Sequence, residues 1–152
     1  MRWLVLNALI LALNEEQKHS DSVSASLRKS GHTVILAKNF SEAIAILNLR
    51  HVDMIISDVH LQNGGNVFDF LRWVKKNPST LDTPFVLFCS EPTALAKFID
   101  DGLRTSARLL GAAMYITMES FDEDEFRRLI DSLFKPLKDD GQPVADDELD
   151  EN

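Results

Sequence analysis

The chain has 152 residues, enough for one well-formed core, and its 45% hydrophobic and 26% charged residues are the balance of a globular domain rather than a fibrous or disordered one. Its net charge of −8 argues against a direct nucleic-acid partner, because phosphate binding needs a basic surface, and its one cysteine, Cys89, excludes an internal disulfide. The longest apolar stretch, Trp3 to Leu13, is interrupted by Asn7, is shorter than the roughly 20 residues that cross a bilayer, and lacks a small-residue cleavage site, so neither a membrane span nor a signal peptide is read and the cytoplasm is the expected location.

Met1 to Asn7 is surplus to the pattern that follows. Ala8 to Leu13 is an apolar run of strand length ending in the polar cluster Asn14, Glu15, Glu16. Glu16 to Ser30 reads as a weakly amphipathic helix with Val23, Ala25 and Leu27 as its main apolar positions, closed by Gly31. His32 to Ala37 is a second strand. Asn39 followed by Glu42 marks a helix start, after which Phe40, Ala43, Ile44 and Leu47 share one face. The third strand, around Met54 to Ile56, carries Asp58 at its downstream end and drops into a turn over Asn63 to Asn66; Val67 to Lys76 is the helix beyond it.

Pro78 and Pro84 bracket the connection to the fourth strand, Phe85 to Cys89. Pro92 suits the first turn of a helix that runs to about Leu110, with Gly102 as a candidate break and Leu95, Phe98, Ile99, Leu103 and Leu110 as one buried face. Ala112 to Thr117 is the fifth strand. Ser120 with Glu123 forms a capping box, and Phe126, Leu129, Ile130, Leu133 and Phe134 give the clearest amphipathic stripe of the chain. From residue 136 onward there are seven acids against one base, Lys138, with Pro136, Gly141 and Pro143, which reads as an acidic disordered tail behind a domain of residues 1–135; that tail holds most of the net charge.

Five strands alternating with five helices predict a parallel α/β sheet with helices on both faces, since each parallel strand requires a crossover connection. In such a sheet the crevice lies at the carboxyl ends of the strands, where Asp58 sits. A carboxylate there either serves chemistry or caps the next helix.

With the strands placed, the polar residues at their carboxyl ends resemble those of the receiver domain of two-component response regulators, over about residues 8–134. The spacing from Asn14 and Glu15 through Gly31 to Asp58 is similar to the family's. The resemblance implies a flavodoxin-like, doubly wound five-stranded sheet in the order 2-1-3-4-5, with Asp58 as phosphoacceptor. It also implies Mg²⁺ held by Glu15, Asp58 and the backbone carbonyl of His60, with Asn14 acting through a water. Oxygen ligands suit that cation, which neutralises charge in phosphoryl transfer. For Asn14, Glu15 and Glu16 the alternative is an ordinary helix start, where acids are favoured by the dipole.

The departures from the family pattern are at the fourth and fifth strands. The Thr or Ser position falls on Cys89, a weak hydrogen-bond donor, and Ser90, one residue on, can substitute only if its side chain turns the same way. The lysine position falls on Met118 and the following proline on Glu119, so a fixed cation is replaced by an apolar side chain and an acid. Tyr115 matches the family's switch aromatic, with a half-buried strand tyrosine as the alternative.

Two functions follow for a degenerate receiver of the bacterial two-component type. In the first, Asp58 takes a phosphoryl group from a histidine kinase or phosphotransfer protein. The change then passes through Cys89 or Ser90 and Tyr115 to the face of the fourth helix, fifth strand and fifth helix, which meets a downstream protein or a second copy. In the second, the chain is a pseudo-receiver that works as a phosphorylation-independent interaction module. No output domain is read, so both act by protein contact and neither is an enzyme. Two rivals are weaker: Cys89 as a nucleophile lacks a base, only His60 among four histidines lying at the right edge, and a cofactor loop over Asn63 to Asn66 follows the third strand rather than the first.

Overall fold

The computed structural model describes residues 7–59, 66–90 and 94–134. The segment Met1 to Leu6, the Asn63 to Gly65 turn, His60, Pro92 and the acidic tail lie outside them.

Five strands, β1 (Leu9–Leu13), β2 (Thr33–Ala37), β3 (Met54–Asp58), β4 (Phe85–Ser90) and β5 (Met114–Met118), alternate with the helices α1 (Gln17–Lys29), α2 (Phe40–Leu49), α3 (Val67–Lys76), α4 (Ala94–Phe98), α5 (Asp100–Leu109) and α6 (Glu123–Asp131). The strands form one parallel sheet in the order β2-β1-β3-β4-β5. This is the flavodoxin-like doubly wound arrangement expected from the alternation and the resemblance.

Side chains alternate across a strand, so every second residue belongs to the same face. Ile10, Ala12, Met54, Ile56, Val86, Phe88, Ile116 and Met118 pack with Val23 and Leu27 of α1 and Phe126 and Ile130 of α6. The other face holds Leu11, Leu13, Ile55, Phe85, Leu87 and Cys89 against Ala43 and Leu47 of α2, Phe70, Leu71 and Val74 of α3 and Ala107 of α5. Both faces are covered, which is why the strands are continuous apolar runs rather than alternating ones. Phe126 and Ile130 are fully buried, each burial stabilising by roughly 1.5 to 3 kcal/mol.

Several local expectations shift. The single helix read over Pro92 to Leu110 is two helices parted at Ile99 (φ −102°, ψ 11°), while Gly102 is helical inside α5. The cause is tertiary. Arg104 of α5 donates to the Tyr115 carbonyl and to Thr117 Oγ1, both at 3.0 Å, which ties α5 along the β5 edge. Part of the expected buried face is turned out: Phe98 is 86% and Ile99 41% exposed, whereas Leu110 packs against the core. Helix α6 is capped by Asp122, which accepts from the Glu125 amide at 3.1 Å, rather than by Ser120. Asn39 does cap α2, accepting from the Glu42 amide at 2.8 Å, and Glu42 in turn accepts from the Lys38 amide at 2.7 Å. Ala25 of α1 is exposed, leaving Val23 and Leu27 as that helix's apolar contacts with the sheet.

Candidate functional site

Asp58 ends β3 at the carboxyl edge of the sheet, beside β1, where the connections leave for opposite faces. In open α/β sheets such a point is where ligands gather. Its side chain is almost wholly buried, yet both oxygens are engaged: Asn14 Nδ2 donates to Oδ1 at 2.9 Å and the Glu15 amide donates to Oδ2 at 3.2 Å. Asp58 therefore does not cap the next helix; Asn66 does, accepting from the Phe68 amide at 2.8 Å. Removal from water raises the Asp58 pKa from the usual 3.8 to about 6, against the two hydrogen bonds and the nearby His19, which favour the anion. A carboxylate that is still ionised at neutral pH but poorly solvated is a better nucleophile than an exposed one.

The alternation fixes what else faces Asp58. Even-numbered positions of β1, β3, β4 and β5 share the α1 and α6 face, so Asn14, Asp58, Ser90 and Met118 stand along one rim. Register links them further, with Asp58 opposite Phe88 in β4 and Ser90 opposite Met118 in β5. Ser90 also lines a cleft with Lys18 and His19 of α1.

Cys89 points the other way. It is buried in the α2, α3 and α5 core, burial pushes its thiol up, and the hydroxyl of Tyr115 beside it offsets part of that rise. A thiol raised by burial is poorly suited to nucleophilic attack. Tyr115 is half-buried on the same face as Cys89, its hydroxyl is inside the protein, and burial pushes its pKa up to about 12. The Arg104 guanidinium lies over its ring at 4.8 Å from the centroid.

No protein-family model and no curated protein sequence matches the chain. Solved structures do. The chemotaxis response regulator CheY4 of Vibrio cholerae is 22% identical with a TM-score of 0.70, over 84% of this chain and 98% of that one. The non-phosphorylated receiver domain of HemR from Leptospira biflexa is 24% identical with a TM-score of 0.68, over 84% and 94%. A response regulator from Thermotoga maritima is 22% identical with a TM-score of 0.70, over 85% and 98%. The chain has the receiver-domain fold.

Cys89 faces the α2, α3 and α5 core, whereas Ser90 stands on the same face of the sheet as Asp58. Met118 ends β5 on the same face as Asp58 and is buried against its apolar neighbours. Glu119 does not add a bare charge beside it, because Lys97 of α4 pairs with its carboxylate and holds its pKa below the usual range.

The fold family implies Mg²⁺, and the oxygen donors at the rim suit that cation in kind. Asn14 Oδ1 is buried without a hydrogen-bond partner, an orphan acceptor of the sort a cation or its water satisfies. Asn14 leaves Glu15 and Asp58 as the carboxylates, and among the described residues no three acidic, histidine or cysteine side chains are gathered for a metal. The fit is to a weakly charged oxygen site. His60, whose carbonyl the resemblance adds to the set, lies outside the described residues.

No helix among the described residues is long and apolar enough to cross a membrane.

Proposed function

We propose that this protein is a signalling receiver in which Asp58 accepts a phosphoryl group from the phosphohistidine of a histidine kinase or phosphotransfer protein and reports the change by protein contact. The observation that carries the reading is the state of Asp58: a desolvated, ionisable carboxylate at the switch point of a receiver fold, with both oxygens oriented by Asn14 and the Glu15 amide.

In the step itself an Asp58 oxygen attacks phosphorus, the P–N bond to the donor imidazole breaks, and the imidazole leaves with the bonding pair and takes up a proton. An acyl phosphate forms. The Asn14 amide and the Glu15 N–H hold the carboxylate while Ser90 presents a hydroxyl to the incoming oxygens. Glu15, Asp58 and Asn14 would hold Mg²⁺, which neutralises charge on donor and acceptor. The signal would leave along the β5 edge, where Tyr115, Arg104 and Thr117 join β5 to α5. The partner met there is a downstream protein or a second copy of the chain.

One observation favours the second reading, a pseudo-receiver that binds a partner without phosphorylation: Met118 is packed into the apolar core rather than left as a gap beside Asp58. The two separate cleanly. Incubating the protein with acetyl phosphate and Mg²⁺ should add one phosphoryl group by intact mass, and none to Asp58→Ala. No addition at saturating donor would leave the pseudo-receiver.

A further inference from the structure

We propose that the groove at the amino edge of the sheet, between the ends of α2 and α3, is a docking site for the chain's own acidic tail, which it takes at residues 146–151. This surface lies at the end of the strands remote from Asp58, and the proposal does not depend on whether Asp58 is phosphorylated.

The groove has a volume of about 430 Å³ and is lined by Leu49, Arg50 and His51 on one side and by Asn77, Ser79 and Thr83 on the other. Its walls are set by the way the two helices end. Helix α2 stops at Leu49; the Arg50 amide still donates to the Ile46 carbonyl, but the Arg50 backbone is already extended (φ −155°, ψ 152°). Helix α3 stops before Asn77, whose side-chain oxygen accepts from the Ser79 amide at 3.1 Å and the Ser79 hydroxyl at 2.9 Å. The Thr80 hydroxyl, bonded to the Val74 carbonyl at 2.7 Å, holds that loop against α3.

No acid lines the groove. The acids beside it are answered locally: Asp53 accepts from the Leu9 amide at 2.8 Å and lies 3.7 Å from His51 Nε2, and Asp82 interacts with the Lys75 ammonium. Arg50 pairs with no acid among the described residues. Lys76 adds an exposed cation in the last turn of α3. Leu49, next to Arg50, is 85% exposed. A bare leucine beside an unpaired guanidinium suits a segment in which an apolar residue is set among carboxylates. The tail supplies one, since Asp146-Asp147-Glu148-Leu149-Asp150-Glu151 places a single leucine among five acids. The carbonyl ends of α2 and α3 oppose a negative guest, which makes Arg50 the deciding contact.

The fold also leads the tail to this edge. Asp131 at the end of α6 binds His32, and Phe134 packs on the His32 ring. His32 precedes β2 and Val52 precedes β3, two strand spacings away across β1, or roughly 10 Å. The stretch from Lys135 to Asp146 is about eleven residues and spans up to roughly 35 Å when extended, so the acids reach the groove with chain to spare. Tethering holds them at a local concentration on the order of millimolar, at which a weak contact suffices.

The test uses the full chain, isotope-labelled, with a spin label on Asn152→Cys. Intact mass checks that Cys89, buried in the core, takes no label, and Cys89→Ala replaces it if it does. Amide resonances over residues 48–52 and 77–83 should broaden, and those of Asp58 and Ser90 should not. Arg50→Glu should cut the broadening about threefold or more. Adding Asp147→Lys and Glu148→Lys to Arg50→Glu should bring it back, which a merely structural role of Arg50 would not do. Salt at 1 M, where charges are screened within about 3 Å, should abolish it in the wild type. If Arg50→Glu is unfolded by thermal melt, Arg50→Gln and the salt series decide, with the same expected direction. Unbroadened groove amides, or broadening spread evenly over the other basic helix ends at Arg28 and Arg108, would overturn the proposal. So would broadening of the groove by a spin label carried on a separate, unlabelled-isotope chain, since the occupant would then be a second copy.

Discussion

Ser90 and Met118 are partners across β4 and β5, and both face the rim that carries Asp58. That rim therefore carries a hydroxyl at Ser90 and an apolar thioether at Met118. Met118→Lys tests what a cation there adds. The lysine stem can follow the methionine path through the apolar cluster and let its ammonium emerge at the rim. A cation there makes a charge-assisted bond worth about 1.5 to 3 kcal/mol, so labelling by acetyl phosphate is expected to quicken about tenfold or more. A folded variant labelled at the unchanged rate would show that charge at the β5 rim is not limiting.

The facing of Cys89 and Ser90 shows where legibility ends. Phe85 to Ser90 is buried on both faces, so its sequence has no alternation from which parity can be read; which residue faces the site is set by pairing with β3 and β5. The strands and Asp58 at a strand end are legible because apolar runs, Gly31 and the Asn39 cap all point one way; the strand order comes from the family resemblance alone. The break at Ile99 is not legible. No local breaker stands there, Gly102 lies three residues on, and the deciding interactions are those of Arg104 with a strand more than ten residues away. The α6 cap was misplaced for a smaller reason: Ser120 and Asp122 both precede acids at suitable spacing, and only the backbone path chooses Asp122.

The buried Asp58 makes stability depend on pH in a definite direction. Its pKa is higher in the folded state, so between about pH 4 and pH 6 the folded chain binds the proton that the unfolded chain has released. Stability from this group is thus full at low pH and lost as pH rises through about 6. The gap from 3.8 to about 6 corresponds to about 3 kcal/mol at pH 7. Asp58→Asn should recover part of it and flatten that part of the profile, measured by urea denaturation with a chelator present. The recovery is partial because an amide turns a donor toward one of two N–H groups, unless Asn14 reverses its own amide and offers Oδ1. A variant with the wild-type slope between pH 4 and pH 6 would contradict the assignment.

At the opposite end of the sheet, His32 is a fully buried side chain with two polar contacts. Its Nδ1 accepts from the Ala8 amide at 3.2 Å, so the proton is on Nε2, which donates to Asp131 Oδ1 at 3.2 Å. The ring thereby joins the start of β1 to the end of α6, and it packs on Phe134 at 5.2 Å between centroids. His32→Ala leaves the Ala8 N–H without its acceptor and opens a cavity. The expected loss is about 2 to 4 kcal/mol, seen as a lower denaturation midpoint at unchanged m-value. Asp131→Asn, which keeps an acceptor for Nε2–H at the half-exposed end, should cost less than about 1 kcal/mol.

Arg104 holds Tyr115 at two points and ties its neighbours Thr117 and Asp100 together. It donates to the Tyr115 carbonyl, lies over the ring, and bridges Thr117 to Asp100, whose carboxylate it meets at 2.6 Å. Exposed ion pairs contribute little to global stability, so Arg104→Ala should cost only about 1 kcal/mol. Its effect should be local. Freed of the guanidinium, α5 is fastened to β5 mainly by Ala107 and neighbouring apolar contacts, and amide exchange in α5 should quicken while that in β1 and β3 stays unchanged. Tyr115 is the chain's one tyrosine, so fluorotyrosine labelling gives a single ¹⁹F resonance for its ring. That resonance should move or broaden in Arg104→Ala. If the link between site and edge exists, it should also respond to acetyl phosphate in the wild type and not in Asp58→Asn; a resonance indifferent to both would mean that Tyr115 is held by the core alone and carries nothing outward from Asp58.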